Sequence, residues 1–249
     1  MSRAWLILWS MFAVGAVGLY GASRKVEPAV RRARLTKFVT YFCIVNFGLL
    51  GAFAGHVIFS GMMLVVAALG VRELVAVLPR ASGGRRSVAW AMGAAYLLIA
   101  TGAVLFAWRS RPMVAAVVYL VVCVFDGFSQ VTGQLLGRHQ LAPALSPGKT
   151  IEGSAGGLLF AVGMAFLLRP VVGWSAPRCL AIVCFLAATA LTGDLLASYV
   201  KRKSGVKDFG KLLPGHGGIL DRFDSFLFAA AACALAAEVA RMCGGSFLE

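Results

Sequence analysis

Pro177–Ser225 reads PRCLAIVCFLAATALTGDLLASYVKRKSGVKDFGKLLPGHGGILDRFDS. Its first half, Pro177–Val200, is apolar over the roughly 20 residues that a bilayer-crossing helix needs. Its second half abruptly gathers Lys201, Arg202, Lys203, Lys207, Lys211 and Arg222, with Asp208, Asp221 and Asp224. Between these charges stands Pro214-Gly215-His216-Gly217-Gly218, and at Phe223 an apolar run begins again. An apolar span, a charged loop and a second apolar span are the pattern of an integral membrane protein.

The same alternation extends over the whole chain. The 249 residues are 60% hydrophobic, and the charged ones collect between apolar runs. Eight candidate spans follow: Ala4–Ala22, Phe38–Ala54, His56–Leu78, Val88–Trp108, Met113–Leu136, Gly153–Val172, Pro177–Val200 and Phe223–Cys243. The expected fold is all-α and polytopic, a single membrane-embedded domain over residues 1–249 with about eight helices. The second and third spans nearly fuse at Gly55-His56. The first lacks a small-x-small cleavage site and precedes Arg24 and Lys25, which reads as a retained helix. On that count, eighteen Lys and Arg fall on one side of the membrane. The other six are Arg3, Arg109, Arg111, Arg169, Arg178 and Arg241. The richer side is expected to face the cytoplasm, and it carries the charged loop. A net charge of +14 would suggest nucleic acid in a soluble protein; here it sits in membrane loops, so no nucleic acid is expected. The six cysteines lie in or at the ends of apolar runs and read as small apolar residues.

The charged loop has the components of phosphate chemistry. Clustered cations suit a polyphosphate. Paired carboxylates suit a hard divalent cation that bridges phosphate oxygens. Asp221 and Asp224 are three apart, so on a helix both face one way. Asp194, Ser198 and Lys201 share one face of the preceding helix for the same reason. Asp126 and Asp194 each end an apolar run, where a charge is costly and tends to be functional or paired. Glu73 reads as a local ion pair with Arg72 or an interfacial charge, and His56 as a structural histidine. A second loop contains Gly148-Lys149-Thr150, the ending of a phosphate-binding P-loop. Pro143 stands where that motif needs its first glycine, and no strand is expected before it, so a P-loop is rejected.

The order of these residues resembles the signature of the phosphatidate cytidylyltransferase (CDP-diacylglycerol synthase) family. The matching positions are Ser198, Lys201-Arg202, Lys207-Asp208, Pro214-Gly215-His216-Gly217-Gly218 and Asp221-Arg222-Phe223-Asp224. The second loop is similar to another family region through Gly137-Arg138-His139, Ala142-Pro143, Ser146-Pro147-Gly148-Lys149-Thr150 and Glu152-Gly153. The likeness is strongest over residues 113–235. One departure is Asp126-Gly127-Phe128-Ser129-Gln130, where the family's usual neighbours of the aspartate are replaced, as in a divergent paralogue.

The resemblance implies transfer of CMP from CTP to phosphatidate, giving CDP-diacylglycerol and pyrophosphate, at the cytoplasmic face of a bacterial inner membrane. It implies Mg²⁺ on Asp194, Asp221 and Asp224, with a second cation such as K⁺. Lys201, Arg202 and Lys207 would neutralise phosphates, with Ser198 and His216 beside them. Substrates would also meet Asp126, Arg138, Lys149, Thr150, Lys203, Asp208, Gly217, Gly218 and Arg222. A homodimer is a further expectation. Three alternatives stay open: the same chemistry on another phospholipid phosphate, a secondary transporter using Asp126 and Asp194, and a related subunit without activity.

Overall fold

The computed structural model describes Trp9, residues 27–213 and residues 217–248. Apart from Trp9, the expected first span falls outside the described residues, as do Pro214, Gly215 and His216. The described helices are α1 (Pro28–Ala54), α2 (His56–Ala81), α3 (Arg86–Arg109), α4 (Pro112–Leu136), α5 (Ile151–Val172), α6 (Ala176–Lys203) and α7 (Leu220–Met242). Helices α2 to α7 are long and apolar enough to cross a membrane, and α1 contains a shorter apolar stretch, Phe38–Ala54. The protein is therefore a helical, polytopic membrane protein, and seven of the eight expected runs coincide with helices.

Local chemistry sets the boundaries. Gly55 takes φ of 109°, a value open to glycine alone, and separates α1 from α2 at the expected break. Pro28 and Pro112 open α1 and α4, where a missing N–H costs nothing. Gly173, left-handed at φ 75°, closes α5.

The second loop is more ordered than expected. It forms an antiparallel hairpin of β1 (Gln140–Ala142) and β2 (Ser146–Thr150), paired at Gln140 with Thr150 and Ala142 with Ser146. The strand absent from the sequence reading runs through Gly148-Lys149-Thr150 itself. An extended segment cannot curl its N–H groups around a phosphate, so a P-loop is excluded on a second ground.

Helix α4 is the central element. It is apolar all round, and Val114–Val122 is buried without a break, continuing to Val124 and Phe125. Tyr119 donates to the Ile44 carbonyl at 3.0 Å and Tyr41 to the Cys123 carbonyl at 2.7 Å, which binds α1 to α4. From α7, Phe226 packs edge-on against Tyr119, with ring centres 5.0 Å apart. Asp126 follows directly on the buried run, so the central helix presents its first charge where the core ends.

Helices α4 and α5 approach closely because small residues line the seam. A Cβ on Gly153 would meet the Ser129 carbonyl at 2.7 Å, and one on Gly157 the Phe125 carbonyl at 2.5 Å. Where lipid chains are as apolar as leucine, such close backbone packing is what holds helices together. Gly157→Ala should therefore lower the thermal midpoint, since overpacking against backbone costs about 1–3 kcal/mol. Gly163→Ala, on the same helix with nothing within 4 Å, should be neutral or stabilising. Thermal unfolding of both variants in one detergent checks the pair; equal midpoints would contradict the seam.

Candidate active site

The site is built where the ends of α4 and α6, the hairpin and the start of α7 meet. Its centre is Asp221, whose side chain is completely buried. A buried carboxylate requires partners, because desolvation otherwise costs several kcal/mol. Asp221 has three. Lys201 donates to Oδ1 at 2.9 Å, and the backbone N–H groups of Phe209 and Gly218 donate to Oδ2 at 2.8 and 2.9 Å. One carboxylate thus fixes the end of α6, the loop and the first turn of α7.

Asp224 lies one turn further along α7, on the same side, as the i,i+3 spacing requires. Its Oδ2 is 4.0 Å from Lys201 Nζ, and its Oδ1 accepts the Ser225 N–H at 2.8 Å. Its Oδ2 is buried without a hydrogen-bond donor among the described residues. Lys201 therefore serves two carboxylates, and the Phe209 ring lies beneath its ammonium at 5.3 Å.

A second pair lies alongside. Lys149, from β2, forms an ion pair with Asp194 of α6. Burial opposes the charge on Lys149, but Asp194 and then Asp126 more than compensate, so its pKa lies above the ordinary lysine value. Asp126 interacts electrostatically with Lys149, Asp194 and Arg222, and Ser225 lies beside it. Asp126, Asp194 and Asp224 thus share one field, with Lys149 and Lys201 between them.

The hairpin is tied down from α5. Glu152 accepts the Arg138 and His139 N–H groups at 3.1 and 3.2 Å and pairs with the His139 ring. Thr150 caps α5 by accepting the Gly153 N–H at 3.0 Å, so its hydroxyl has a structural partner. Arg202 reaches the hairpin turn, donating to the Leu145 carbonyl at 3.2 Å. Ser198 is buried on α6 between Asp194 and Lys201. Lys207, Asp208, Arg138 and Arg222 are exposed around the centre. Lys203 is exposed too, its ammonium 5.7 Å from the Tyr199 ring. Gly217, left-handed at φ 83°, pairs with Leu213 to close the loop, and a Cβ there would meet Asp221 Oδ2 at 2.9 Å. His216 lies outside the described residues.

Glu73 corrects the sequence reading. It makes no ion pair with Arg72. It crosses from α2 to accept the Ile219 and Leu220 N–H groups at 3.0 and 2.8 Å, capping α7. A Cβ at either Gly210 or Gly218 would collide with its carboxylate, which is why glycine stands at both. The only sequence signal was a single carboxylate near the end of an apolar helix, beside Arg72 at a spacing that does not bring two side chains together on a helix.

The donor set matches a hard divalent cation in kind: carboxylate oxygens only, one of them buried and without a donor. Among the described residues no three such groups converge on a single ligating point, because lysines hold two of the aspartates.

Glu73→Gln keeps one acceptor and loses the charge at the helix start, so it should cost about 1–2 kcal/mol. Arg72→Gln should leave the melting curve nearly unchanged. Equal losses from the two, measured by thermal unfolding, would restore the ion-pair reading.

Comparison with known proteins bears on what this arrangement is for. Residues 86–240 match the model of the cytidylyltransferase family. A phosphatidate cytidylyltransferase of Staphylococcus saprophyticus is 43% identical over 112 residues, covering 44% of this chain and 43% of that protein. The Bacillus subtilis phosphatidate cytidylyltransferase is 45% identical over 111 residues, covering 44% of this chain and 41% of the relative. That of Staphylococcus aureus is 44% identical over 112 residues, 44% of this chain and 43% of the relative. The chain thus aligns with less than half the length of these relatives. The family match runs from the start of α3 almost to the end of α7 and includes α4, the hairpin, α6 and the start of α7, so the chain belongs to the cytidylyltransferase family.

Proposed function

We propose that this chain is a membrane-bound nucleotidyltransferase that moves CMP from CTP to a lipid phosphate, with phosphatidate as the acceptor and CDP-diacylglycerol and pyrophosphate as products. The observation that carries this reading is the convergence of two half-buried lysines and four aspartates at one end of an apolar bundle. The relatives' name supplies the acceptor. The same chemistry on another phospholipid phosphate is the second reading, motivated by the altered residues after Asp126.

The lipid phosphate oxygen attacks the α-phosphorus of CTP, the bond to the bridging oxygen of the β-phosphate breaks, and pyrophosphate leaves with that electron pair. A phosphate is already a nucleophile and needs no strong base. The obstacle is repulsion between two anions, so positioning and charge neutralisation do the catalytic work. Lys149 and Lys201 would exchange their carboxylates for phosphate oxygens. Arg138, Arg202, Lys207 and Arg222 ring the centre and would hold the triphosphate, while Asp126 sits where a lipid headgroup would enter from the membrane. Bound to Asp194, Asp221 and Asp224, Mg²⁺ would supply positive charge to the phosphate oxygens. Within that set Asp224 has the free oxygen, and Asp221 both contributes charge and holds Lys201 in place. The excess of Lys and Arg on this side supports a cytoplasmic site.

Two variants separate chemistry from architecture. Asp224→Asn should lose about 10²–10³-fold in turnover while melting near normally. Asp221→Asn should also fold less stably, by about 3 kcal/mol, because it leaves Lys201 without its principal buried partner. The assay is pyrophosphate release by purified protein with Mg²⁺, each of the four NTPs, and phosphatidate or another lipid phosphate. Release that needs both CTP and the lipid is expected. Flux without CTP, or inorganic phosphate as product, would overturn the transferase reading.

A further inference from the structure

At the opposite end of the bundle lies a cavity of about 320 Å³, bounded by the α3–α4 turn, the end of α7 and the tail after it. Its floor is apolar, with Phe106, Val114 and Ala234 from three helices and Phe247 from the tail. The tail is a fixed wall. Arg178 donates to the Ser246 carbonyl at 2.8 Å, Trp174 Nε1 donates to the Leu248 carbonyl at 3.3 Å, and Phe247 packs edge-on against Phe185.

The rim is cationic: Arg109, Arg111 and Arg241. Glu238 supplies a single carboxylate, shared by Arg109 at 2.8 Å and by Arg241. Arg111 is exposed and has no ion pair among the described residues. Among the described residues three cations therefore face one carboxylate. In the expected orientation this is the outer side, where lysine and arginine are depleted. Four of the six there, Arg109, Arg111, Arg178 and Arg241, nevertheless gather at this cavity and its wall. Such a concentration has no use in orienting the chain. Trp108, beside the cavity and edge-on to His56 at 4.9 Å, places the rim at headgroup depth.

We propose that this cavity binds an anionic amphiphile, its acidic head on Arg111 and Arg241 and its chain against Phe106, Val114 and Phe247. The site is separate from the lysine–aspartate centre, sharing none of its residues and lying at the other end of α4 and α7. Guanidinium groups are the natural partners of a phosphate or carboxylate head, and the apolar floor accepts the first part of an acyl chain. A diacyl phospholipid and a free fatty acid share this chemistry.

The test uses the full chain in neutral detergent with phosphatidylglycerol, phosphatidylcholine of identical chains, or oleate. Native mass spectrometry counts retained ligand, and thermal unfolding gives the shift. Phosphatidylglycerol should be retained over phosphatidylcholine and raise the midpoint by about 3 °C more. The double variant Arg111→Gln/Arg241→Gln should lose that preference. Ala234→Phe, which fills the floor, should lose retention with the rim intact. Arg169→Gln, at the same end but outside the cavity, should behave as the parent. Oleate retained as well as phosphatidylglycerol assigns the site to single-chain acids, and phosphatidylglycerol alone to phospholipids. Equal retention of phosphatidylcholine, survival of the preference in the double variant, or its equal loss in Arg169→Gln would overturn the proposal.

Discussion

The buried carboxylate of Asp221 is the constraint on which the site rests. Placing a charge in the interior at the start of a spanning helix is unfavourable unless every lone pair in reach is engaged. Here one lysine and two backbone N–H groups do this, and they come from three different segments. Satisfying the charge thereby draws the end of α6, the loop around Phe209 and the first turn of α7 to one point. The fold has no freedom to relax one of them without exposing an unpaired charge in a region of low dielectric.

The start of α7 takes a second carboxylate, from a distant helix. Its first N–H groups carry the positive end of the helix dipole and lack partners in their own helix. Asp221 answers one side through Gly218, and Glu73 answers the other through Ile219 and Leu220. With the helix end satisfied, Asp224 is released from capping. Its Oδ2 is left buried, next to Lys201 and without a donor among the described residues. A group kept in that state costs stability, and the metal-holding role proposed for it would give the reason for retaining it. The two glycines against Glu73 belong to the same design, since any side chain there would push the carboxylate off the helix end.

The two ends of the bundle use charge differently. At one end each of two lysines is neutralised by an aspartate, so under the proposed function binding a phosphate would be an exchange of anionic partners. At the other, among the described residues, arginines exceed their single carboxylate and face an apolar cavity. Helix α4 separates them with a continuous buried run, Val114–Val122, that carries no charge and whose one hydroxyl, on Tyr119, is spent on the Ile44 carbonyl.

The spans, the Gly55 break and the shared face of Asp221 and Asp224 were legible in the sequence, because each depends on neighbours within four residues or on a run of apolar side chains. The ordered signature from Ser198 to Asp224 was legible for the same reason: it is contiguous. The expected first span, apart from Trp9, and His216 lie outside the described residues. What only the tertiary structure decided is pairing across the chain. Glu73 and Ile219 are 146 residues apart, and no periodicity links a carboxylate to a helix end at that distance. The local ion-pair expectation failed because the backbone donors of α7 are better placed and fixed, whereas an exposed arginine neighbour contributes little. The hairpin depended on Glu152 clamping its base at Arg138 and His139, and the capping role of Thr150 on where α5 begins. The alliance of Lys149 with Asp194 required β2 to be laid against α6. Residue type and local spacing determine which charges a membrane chain must satisfy; only the packed bundle determines which partner satisfies each one.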